Sequence, residues 1–185
     1  MLYTGPSLLL DLVDIIMRYK YVFVVDIEKM FRQILVDPRD RHLQTVLWRD
    51  KIEKLISLFI FNTLTYGLGP SPFLAIRSLQ QLAMDFGHLF PLAIMIILKE
   101  SYCDDFASGA DTIEEAKSKQ IDLIGLCKVG GFELGGRKWA ANSPELENCL
   151  PKDHLLRDSS FFESQDSTSI LGLSYSTQLV GERQL

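Results

Sequence analysis

The sequence predicts a mixed α and β domain whose strands share one sheet. Short apolar runs rich in β-branched and aromatic residues, typical of buried strands, alternate with segments of helical periodicity. Two of these runs end in aspartate, at Asp26 and at Asp104-Asp105, and the second is followed by the turn-prone Ala107-Ser108-Gly109. A shared sheet would bring these carboxylates together although 78 residues separate Asp26 from Asp104.

The first predicted elements are a helix and a strand. Apolar residues recur at helical spacing from Pro6 to Lys20, and Ser7 could serve as the N-cap. Tyr21 to Val25 predicts a buried strand that delivers Asp26 at its end. Ile27 to Val36 then predicts a turn followed by a short helix.

The middle of the chain predicts a second strand, a loop and a helix. Leu55 to Phe61 is the strand candidate, and the loop from Tyr66 to Pro72 is rich in glycine and proline. The last two residues of this loop fit the N-cap and first position of a helix that runs to about Phe86. The continuous apolar run from Phe90 to Tyr102 fits a helix or a strand, and we expect it to end as a strand.

The chain should then reverse as a hairpin around Asp104-Asp105, with Phe106 beginning the return strand. Thr112 is the predicted N-cap of a helix to Lys128, because two glutamates follow in its first turn. Gly130-Gly131 would close this helix.

The last part of the chain is polar beyond Trp139. Asp158 to Ser169 is rich in Ser, Asp and Glu and predicts a loop. The apolar patch from Ile170 to Tyr175 predicts a closing strand, and no internal repeat is evident.

Composition suits an intracellular globular domain. The apolar fraction is 47% and the charged fraction 23%, and the longest apolar stretch, Phe90 to Leu98, is too short to span a bilayer. The first residues have no basic region, and Asp11 and Asp14 interrupt the apolar run that follows, which argues against a secretory signal. We therefore expect no membrane partner.

Cysteine usage and net charge add two further constraints. Cys103, Cys127 and Cys149 are odd in number and far apart in sequence, so we expect free thiols rather than disulfides or a zinc site. The net charge of −5 argues mildly against a nucleic-acid-binding domain.

The clustered aspartates predict a metal site for a hard cation. Three carboxylates without an accompanying His or Cys suit Mg²⁺, and two such ions about 3.5 to 4 Å apart can catalyse phosphoryl transfer. The alternative for Asp104-Asp105 is an exposed acidic turn, and the alternative for Asp26 is an ordinary residue at a strand end.

Three strings resemble motifs of reverse transcriptases, in the order of that family. Asp26-Ile-Glu-Lys-Met-Phe31 resembles the first catalytic motif, and Ser101-Tyr-Cys-Asp-Asp-Phe106 resembles the Tyr-x-Asp-Asp hairpin. Thr65-Tyr-Gly-Leu-Gly-Pro-Ser-Pro72 occupies the place of the template and nucleotide loop. Flanking strings resemble the BEL/Pao class of long-terminal-repeat retrotransposons: Thr4-Gly-Pro-Ser-Leu8, Leu47-Trp-Arg-Asp50, Ala75-Ile-Arg-Ser-Leu79, Gly109-Ala-Asp-Thr112, Gly130-Gly-Phe-Glu-Leu134 and Lys138-Trp139.

The resemblance implies an α+β fold, a polymerase palm in which an antiparallel sheet with a ferredoxin-like core packs against helices, with part of the fingers. It implies a partial reverse transcriptase domain over residues 1–185, with a fingers-side helix at 1–17, the palm at 18–175 and mostly loop at 140–169. In this family a fingers hairpin precedes these motifs, and a thumb and an RNase H domain follow them. We expect those parts to lie outside this chain.

The resemblance also implies roles for the aspartates. Asp26 and Asp104 would hold two Mg²⁺ ions, for which Mn²⁺ could substitute, and Asp105 would support them. The backbone carbonyl of Ile27 would be a further metal ligand.

Five other residues acquire implied roles in binding the nucleotide and the primer. Phe31 would lie beneath the incoming sugar and exclude a 2′-hydroxyl, and Gly67 would let the backbone approach the nucleotide. Lys138 would lie near the pyrophosphate, and Leu171 and Gly172 would form the primer grip. The alternatives are a core aromatic at Phe31, a solvated surface lysine and an ordinary closing strand.

The activity implied is templated addition of dNTPs to a primer 3′ end. The implied partners are an RNA or DNA template with its primer, dNTPs, and the remaining fingers, thumb and RNase H parts of a polyprotein, in the cytoplasm or in a virus-like particle. The alternative is a degenerate fragment without catalysis, at most an interaction module, because Gly135-Gly136 departs from the family pattern and shifts Lys138. Another palm-type nucleotidyl transferase, such as a cyclase, is the third and least favoured hypothesis.

Overall fold

The computed structural model describes Asp14, residues 18–135 and 139–147, and the backbone of two strands at 168–170 and 173–175. Over this part of the chain the fold is α+β, with antiparallel sheets and helices packed against the largest of them. In chain order the strands are β1 (Tyr21–Asp26), β2 (Thr45–Trp48), β3 (Ser57–Ile60), β4 (Ser101–Tyr102), β5 (Asp105–Ala110), β6 (Ala140–Ala141), β7 (Thr168–Ile170) and β8 (Leu173–Tyr175). The α-helices are α1 (Met30–Gln33), α2 (Ser71–Phe86), α3 (Pro91–Lys99), α4 (Ile113–Val129) and α5 (Pro144–Glu147), and short 3₁₀ helices occur at Arg41–Leu43 and Gly87–Leu89.

The central sheet has four strands in the order β4-β5-β1-β6, and each neighbouring pair is antiparallel. β1 pairs with β5 along its whole length, from Tyr21 opposite Ala110 to Asp26 opposite Asp105. The four inner residues of β1 are all buried, which explains why its sequence is a continuous apolar run instead of an alternating one.

One face of the sheet forms the core with the helices. Phe23 and Val25 of β1 are buried there together with Leu79 of α2, Ile96 of α3 and Leu123 of α4. Because successive strand residues point to opposite faces, Val22, Val24 and Asp26 lie on the other face. The first strand therefore carries Asp26 on the side of the sheet away from the packed helices.

The remaining strands form two separate two-stranded sheets. β2 and β3 pair as an antiparallel ribbon, and all eight of their residues are exposed. β7 and β8 pair as a hairpin in which Ile170 faces Leu173. The closing strand predicted over Ile170 to Tyr175 is therefore two strands, and Thr168 and Ser169, predicted as loop, belong to the first of them.

Most of the other predicted elements are confirmed with small shifts. The strand ending at Asp26, the short helix within 27–36 and the strand within 55–61 are present. The apolar run from Phe90 is a helix that ends as a strand at Tyr102, and the return strand begins at Asp105, one residue before Phe106. Most of the helix predicted from Pro6 to Lys20 lies outside the described residues; at its end Arg18 is helical, whereas Tyr19 and Lys20 are not.

Two helix starts show why capping predictions succeed or fail. Thr112 caps α4 as predicted, since its side chain accepts a hydrogen bond from the Glu115 N–H at 3.4 Å. The prediction of Ser71 as the cap of α2 is wrong: Pro70 is the N-cap, and the Ser71 hydroxyl donates instead to the Thr65 carbonyl at 2.6 Å. Ser71 is already the first residue of the helix, one position past the cap, and its hydroxyl bonds to the preceding loop.

Of residues 140–169, predicted as mostly loop, 140–141 form β6 and 144–147 form α5. None of the helices in the described ranges is long and apolar enough to cross a membrane.

Candidate functional site

The register of the central sheet sets two of the predicted aspartates opposite each other. Asp26 at the end of β1 pairs directly with Asp105 at the start of β5. Residues directly opposed on antiparallel strands point to the same face, with Cβ atoms about 4.5 to 5.5 Å apart. Asp105 is only 6% exposed, and the Oδ1 atom of Asp26 is enclosed by the protein. The two carboxylates thus lie side by side at the ends of the two inner strands, partly shielded from water.

Asp104 lies in the tight turn that joins β4 to β5. Tyr102 pairs with Asp105, so Cys103 and Asp104 are the two turn residues. Cys103 has φ of 55°, in the left-handed region that two-residue hairpin turns require but that residues other than glycine, asparagine and aspartate seldom adopt. Asp104 is half-buried, and its carbonyl accepts a hydrogen bond of 2.7 Å from the Ile27 N–H. This bond fastens the turn to the residue that follows Asp26.

Ile27 is held between the turn and a second segment. It forms an isolated antiparallel bridge with Leu134, in which the Gly135 N–H donates to the Asp26 carbonyl at 3.1 Å and the Glu28 N–H donates to the Glu133 carbonyl at 2.9 Å. In extended backbone the N–H and C=O of one residue point to the same side. Because the Ile27 N–H points toward Asp104, its carbonyl also faces the turn, as a metal ligand shared with the aspartates would.

Of the two predicted nucleotide residues Phe31 and Gly67, the first contacts Tyr66, which directly precedes the second. The Phe31 ring meets the Tyr66 ring edge-on, with centroids 4.7 Å apart. Phe31 itself is nine-tenths buried in the core, whereas the adjoining Tyr66 is 58% exposed. Gly67 has φ of +82°, and a Cβ added there would meet no atom within 4 Å, so open space lies beside it. Phe31 is therefore a buried ring, and Tyr66 is the exposed ring beside Gly67.

Tyr66 and Gln33 are site residues that the sequence did not single out. The Gln33 amide donates to the Glu28 carbonyl and its Oε1 accepts from the Glu133 N–H at 2.8 Å, which ties α1 to the segment that bridges Ile27. Tyr66 had one signal, its position directly before Gly67 in the predicted nucleotide loop. Gln33 had none, because its partner Glu133 is 100 residues away in sequence.

Other predicted site residues fall outside this geometry. Lys138, Leu171 and Gly172 lie outside the described residues, as does Gly136 of the predicted insertion. Gly135 is described and has φ of 95°, a conformation that favours glycine.

The donor set fits a hard divalent cation in an open site. Among the residues that the structure describes, no group of three or more His, Cys, Asp or Glu side chains is gathered in a way that could hold a metal ion. Mg²⁺ is usually held by one or two carboxylates together with waters and substrate phosphates instead of a full protein cage. The paired Asp26 and Asp105 provide two carboxylates of that kind, and the adjoining turn that contains Asp104 is bonded to the backbone of Ile27.

The thiol at the turn does not change this chemistry. Burial, with the charge of Asp104 as a second cause, raises the pKa of Cys103 above its ordinary value. Cys103 therefore stays a neutral thiol at physiological pH, and only a thiolate would favour a soft metal.

The comparisons with known proteins do not extend this picture: no protein-family model matches the chain, and no curated protein matches it in sequence.

Proposed function

We propose that this chain is the palm part of an RNA-directed DNA polymerase, a reverse transcriptase of the BEL/Pao type, which adds dNTPs to a primer 3′ end. The observation that carries the proposal is the direct pairing of Asp26 with Asp105, beside the turn that holds Asp104. Acidic residues at this position are costly unless a cation uses them, because like charges placed directly opposite on a sheet repel each other. Two of the three motif strings meet where β1 and β5 pair, and the third contacts the first through the rings of Tyr66 and Phe31.

The topology supports the same proposal. Along the chain, the central sheet and its helices follow the order strand, helices, two strands, helix, strand, and in space the strands lie in the order β6-β1-β5-β4. This is the arrangement of a ferredoxin-like βαββαβ unit, the core expected for a polymerase palm. Because this strand order occurs in proteins of many functions, the choice of function rests on the carboxylates.

We assign to the residues the roles that the resemblance to reverse transcriptases implies. Asp26, Asp104 and the Ile27 carbonyl would bind two Mg²⁺ ions, with Mn²⁺ as a substitute, and Asp105 would orient the pair from the neighbouring strand. When bound, these ions would activate the primer hydroxyl and neutralise the charge that develops on the phosphates. Phe31, packed against Tyr66 beside the open space at Gly67, would support the sugar of the incoming dNTP. Lys138 near the pyrophosphate, and Leu171 with Gly172 at the primer end, complete the proposal.

The proposed partners are a primed RNA or DNA template, dNTPs, and the fingers, thumb and RNase H parts of a polyprotein. The proposed location is the cytoplasm, or a virus-like particle if the element is active. The alternative is a degenerate fragment without catalysis that acts at most as an interaction module.

Calorimetric titration with Mn²⁺ separates these two functions. We expect the wild-type chain to bind Mn²⁺, and we expect Asp26→Asn and Asp104→Asn each to weaken that binding at least tenfold. Asp85→Asn is the matched control, because Asp85 is an exposed aspartate on α2, away from the paired strands. Equal Mn²⁺ binding by all four proteins, or none by the wild type, would favour the degenerate fragment.

Primer extension tests the activity itself. The chain joined to fingers and thumb regions should extend a primer with Mg²⁺ or Mn²⁺, and Asp104→Asn should abolish extension. Extension that survives Asp104→Asn would refute the catalytic role.

A further inference from the structure

The side-chain amide of Gln33 takes the place of a backbone hydrogen bond just beyond the end of β1. Ile27 and Leu134 form an antiparallel bridge, so in a regular ladder the next pair, Glu28 and Glu133, would exchange two backbone hydrogen bonds. Only one of these is direct: the Glu28 N–H donates to the Glu133 carbonyl at 2.9 Å. Gln33 replaces the other, because its Oε1 accepts from the Glu133 N–H at 2.8 Å and its Nε2 donates to the Glu28 carbonyl.

This insertion uses both ends of the amide at once. The Glu133 N–H needs an acceptor and the Glu28 carbonyl needs a donor, and glutamine carries both on one planar group. An ionised glutamate would offer acceptors alone, and methionine would leave both backbone groups without a strong partner. We call Gln33 together with these two backbone partners the amide clamp.

The amide clamp sets the direction of the Ile27 carbonyl. This carbonyl and the Glu28 N–H belong to one planar trans peptide, so they point in opposite directions. Because the Glu28 N–H is bonded to Glu133, the Ile27 carbonyl points to the other side of the chain, where the Ile27 N–H bonds to the turn at Asp104. Gln33 holds Glu133 in the position that this orientation requires.

The same amide closes the turn that leads to Phe31. Lys29 has φ of 49° and ψ of 41°, a left-handed conformation that is strained for residues other than glycine. The bond from Gln33 to the Glu28 carbonyl spans this turn, from the last residue of α1 back to the residue before Lys29. Because α1 has only four residues, its own hydrogen bonds give it little stability. Gln33 therefore fixes Phe31 relative to the end of β1.

We propose that Gln33 is a positioning residue of the candidate metal site, which acts on Asp26 and the Ile27 carbonyl through the backbone of Glu28 and Glu133. Under the proposed function Asp26 and the Ile27 carbonyl are metal ligands, and the role of Gln33 rests on that function. Gln33 lies two residues beyond the first motif string, so the resemblance to reverse transcriptases assigns it no role. A clamp that served stability alone would leave the metal affinity unchanged when it is removed.

Calorimetric titration of the full chain with Mn²⁺, at a temperature at which every variant is folded, distinguishes positioning from stability. Gln33→Met should weaken Mn²⁺ binding about tenfold, a loss typical of groups that orient metal ligands. Thr112→Ala is the control for lost stability, because it removes one hydrogen bond at the cap of α4, outside the amide clamp. It should change Mn²⁺ binding by less than twofold. Gln33→Asn keeps the amide but is one methylene shorter, so it cannot span both partners and should weaken binding less than Gln33→Met.

Hydrogen exchange of the Glu133 amide, followed by NMR in EDTA, tests the amide clamp without a metal. This amide should exchange slowly in the wild type and in Thr112→Ala, and at least tenfold faster in Gln33→Met, because its acceptor is gone. Exchange that is as fast in the wild type as in Gln33→Met would show that the clamp does not form, and would overturn the proposal.

The titration separates failure of this proposal from failure of the proposed function. Equal Mn²⁺ binding by the wild type and Gln33→Met would overturn the positioning role and leave the proposed function standing. Equal weakening by Gln33→Met and Thr112→Ala would show that binding follows overall stability, and would overturn the positioning role as well. Absence of Mn²⁺ binding by the wild type would overturn the proposed function, and the positioning role with it.

Discussion

Asp26 of β1 and Asp105 of β5 are direct cross-strand partners, so two carboxylates stand side by side at one edge of the central sheet. A folding requirement does not explain this pair, since the remaining pairs of the same two strands are apolar, aromatic or small residues. Under the proposed function, we expect the pair to lower the stability of the chain when no cation is bound and to supply ligands when one is. Stability and metal binding should therefore respond in opposite directions to the removal of one carboxylate.

The first prediction uses this opposition. In EDTA, Asp26→Asn should raise the free energy of unfolding by roughly 0.2 to 1 kcal/mol, because it removes one of two opposed charges. In millimolar Mn²⁺ the wild type should gain stability through ligand binding, and the variant should gain almost none. Urea unfolding with and without Mn²⁺ measures both effects.

Asp85→Asn controls for the removal of an acid from elsewhere on the surface. It should leave the Mn²⁺-dependent gain of the wild type intact. A variant at Asp26 that is less stable in EDTA, and that still gains from Mn²⁺ as the wild type does, would contradict the paired-carboxylate interpretation.

The second prediction concerns a buried amide in the core. Gln120 of α4 is 1% exposed, and neither its Oε1 nor its Nε2 has a hydrogen-bond partner. A buried polar group without a partner costs about 1 to 3 kcal/mol, and a nonpolar side chain of similar shape removes that cost. Gln120→Met should therefore raise the free energy of unfolding by about 1 to 3 kcal/mol, measured by urea denaturation.

Gln33 provides the matched comparison for the same substitution. Its amide group donates to the Glu28 carbonyl and accepts from the Glu133 N–H. Gln33→Met should lower the free energy of unfolding, because it leaves those backbone groups without their side-chain partner. If both substitutions shift stability in the same direction, the difference between satisfied and unsatisfied amides is not what decides their effect.

The fold could be predicted from sequence where local patterns decide it. The apolar run before Asp26 and the capping residues around α4 gave correct elements, because burial and end-capping are encoded within a few residues. β2 was missed because Thr45–Trp48 is exposed on both faces and shows no apolar and polar alternation. β6 was missed because two alanines carry no strand signal, and only their pairing with β1 defines them.

The candidate site could be predicted only in part for the same reason. The aspartates were recognisable at the ends of apolar runs, but the pairing of Asp26 with Asp105 is a matter of register, which long-range packing sets. The left-handed conformation of Cys103 had no local signal either, since a hairpin forces it on whatever residue occupies the first turn position.

The third prediction tests the cap of α4. The Thr112 side chain accepts from the Glu115 N–H, so Thr112→Ala leaves one terminal N–H without its acceptor. This substitution should lower the free energy of unfolding by about 1 kcal/mol, and Thr112→Asp should keep or exceed wild-type stability because aspartate is also a strong cap. Thermal unfolding of the wild type and the two variants measures these changes. An equal loss of stability in both variants would show that the side-chain oxygen does not contribute to the cap.

The fourth prediction concerns the buried thiol of Cys127. Burial raises its pKa from 9.0 to about 12. Below about pH 9 both the folded and the unfolded chain keep this proton, so the buried neutral thiol makes its full contribution to stability. Between about pH 9 and 12 the unfolded chain loses the proton while the folded chain keeps it. The free energy of unfolding should therefore fall with rising pH, by up to about 1.4 kcal/mol per pH unit from this group alone.

Comparison of the wild type with Cys127→Ala isolates this contribution, because other groups that titrate in the same range act equally in both proteins. The variant should be less stable at pH 8, since it leaves a small cavity among fully buried neighbours. Its stability should then fall less steeply up to pH 11, so the two curves of unfolding free energy converge. In the folded wild type the thiol should also resist alkylation by iodoacetamide until urea unfolds the chain, since only the thiolate reacts. Parallel curves, or rapid alkylation of Cys127 in the folded protein, would show that the thiol is not held neutral by the core.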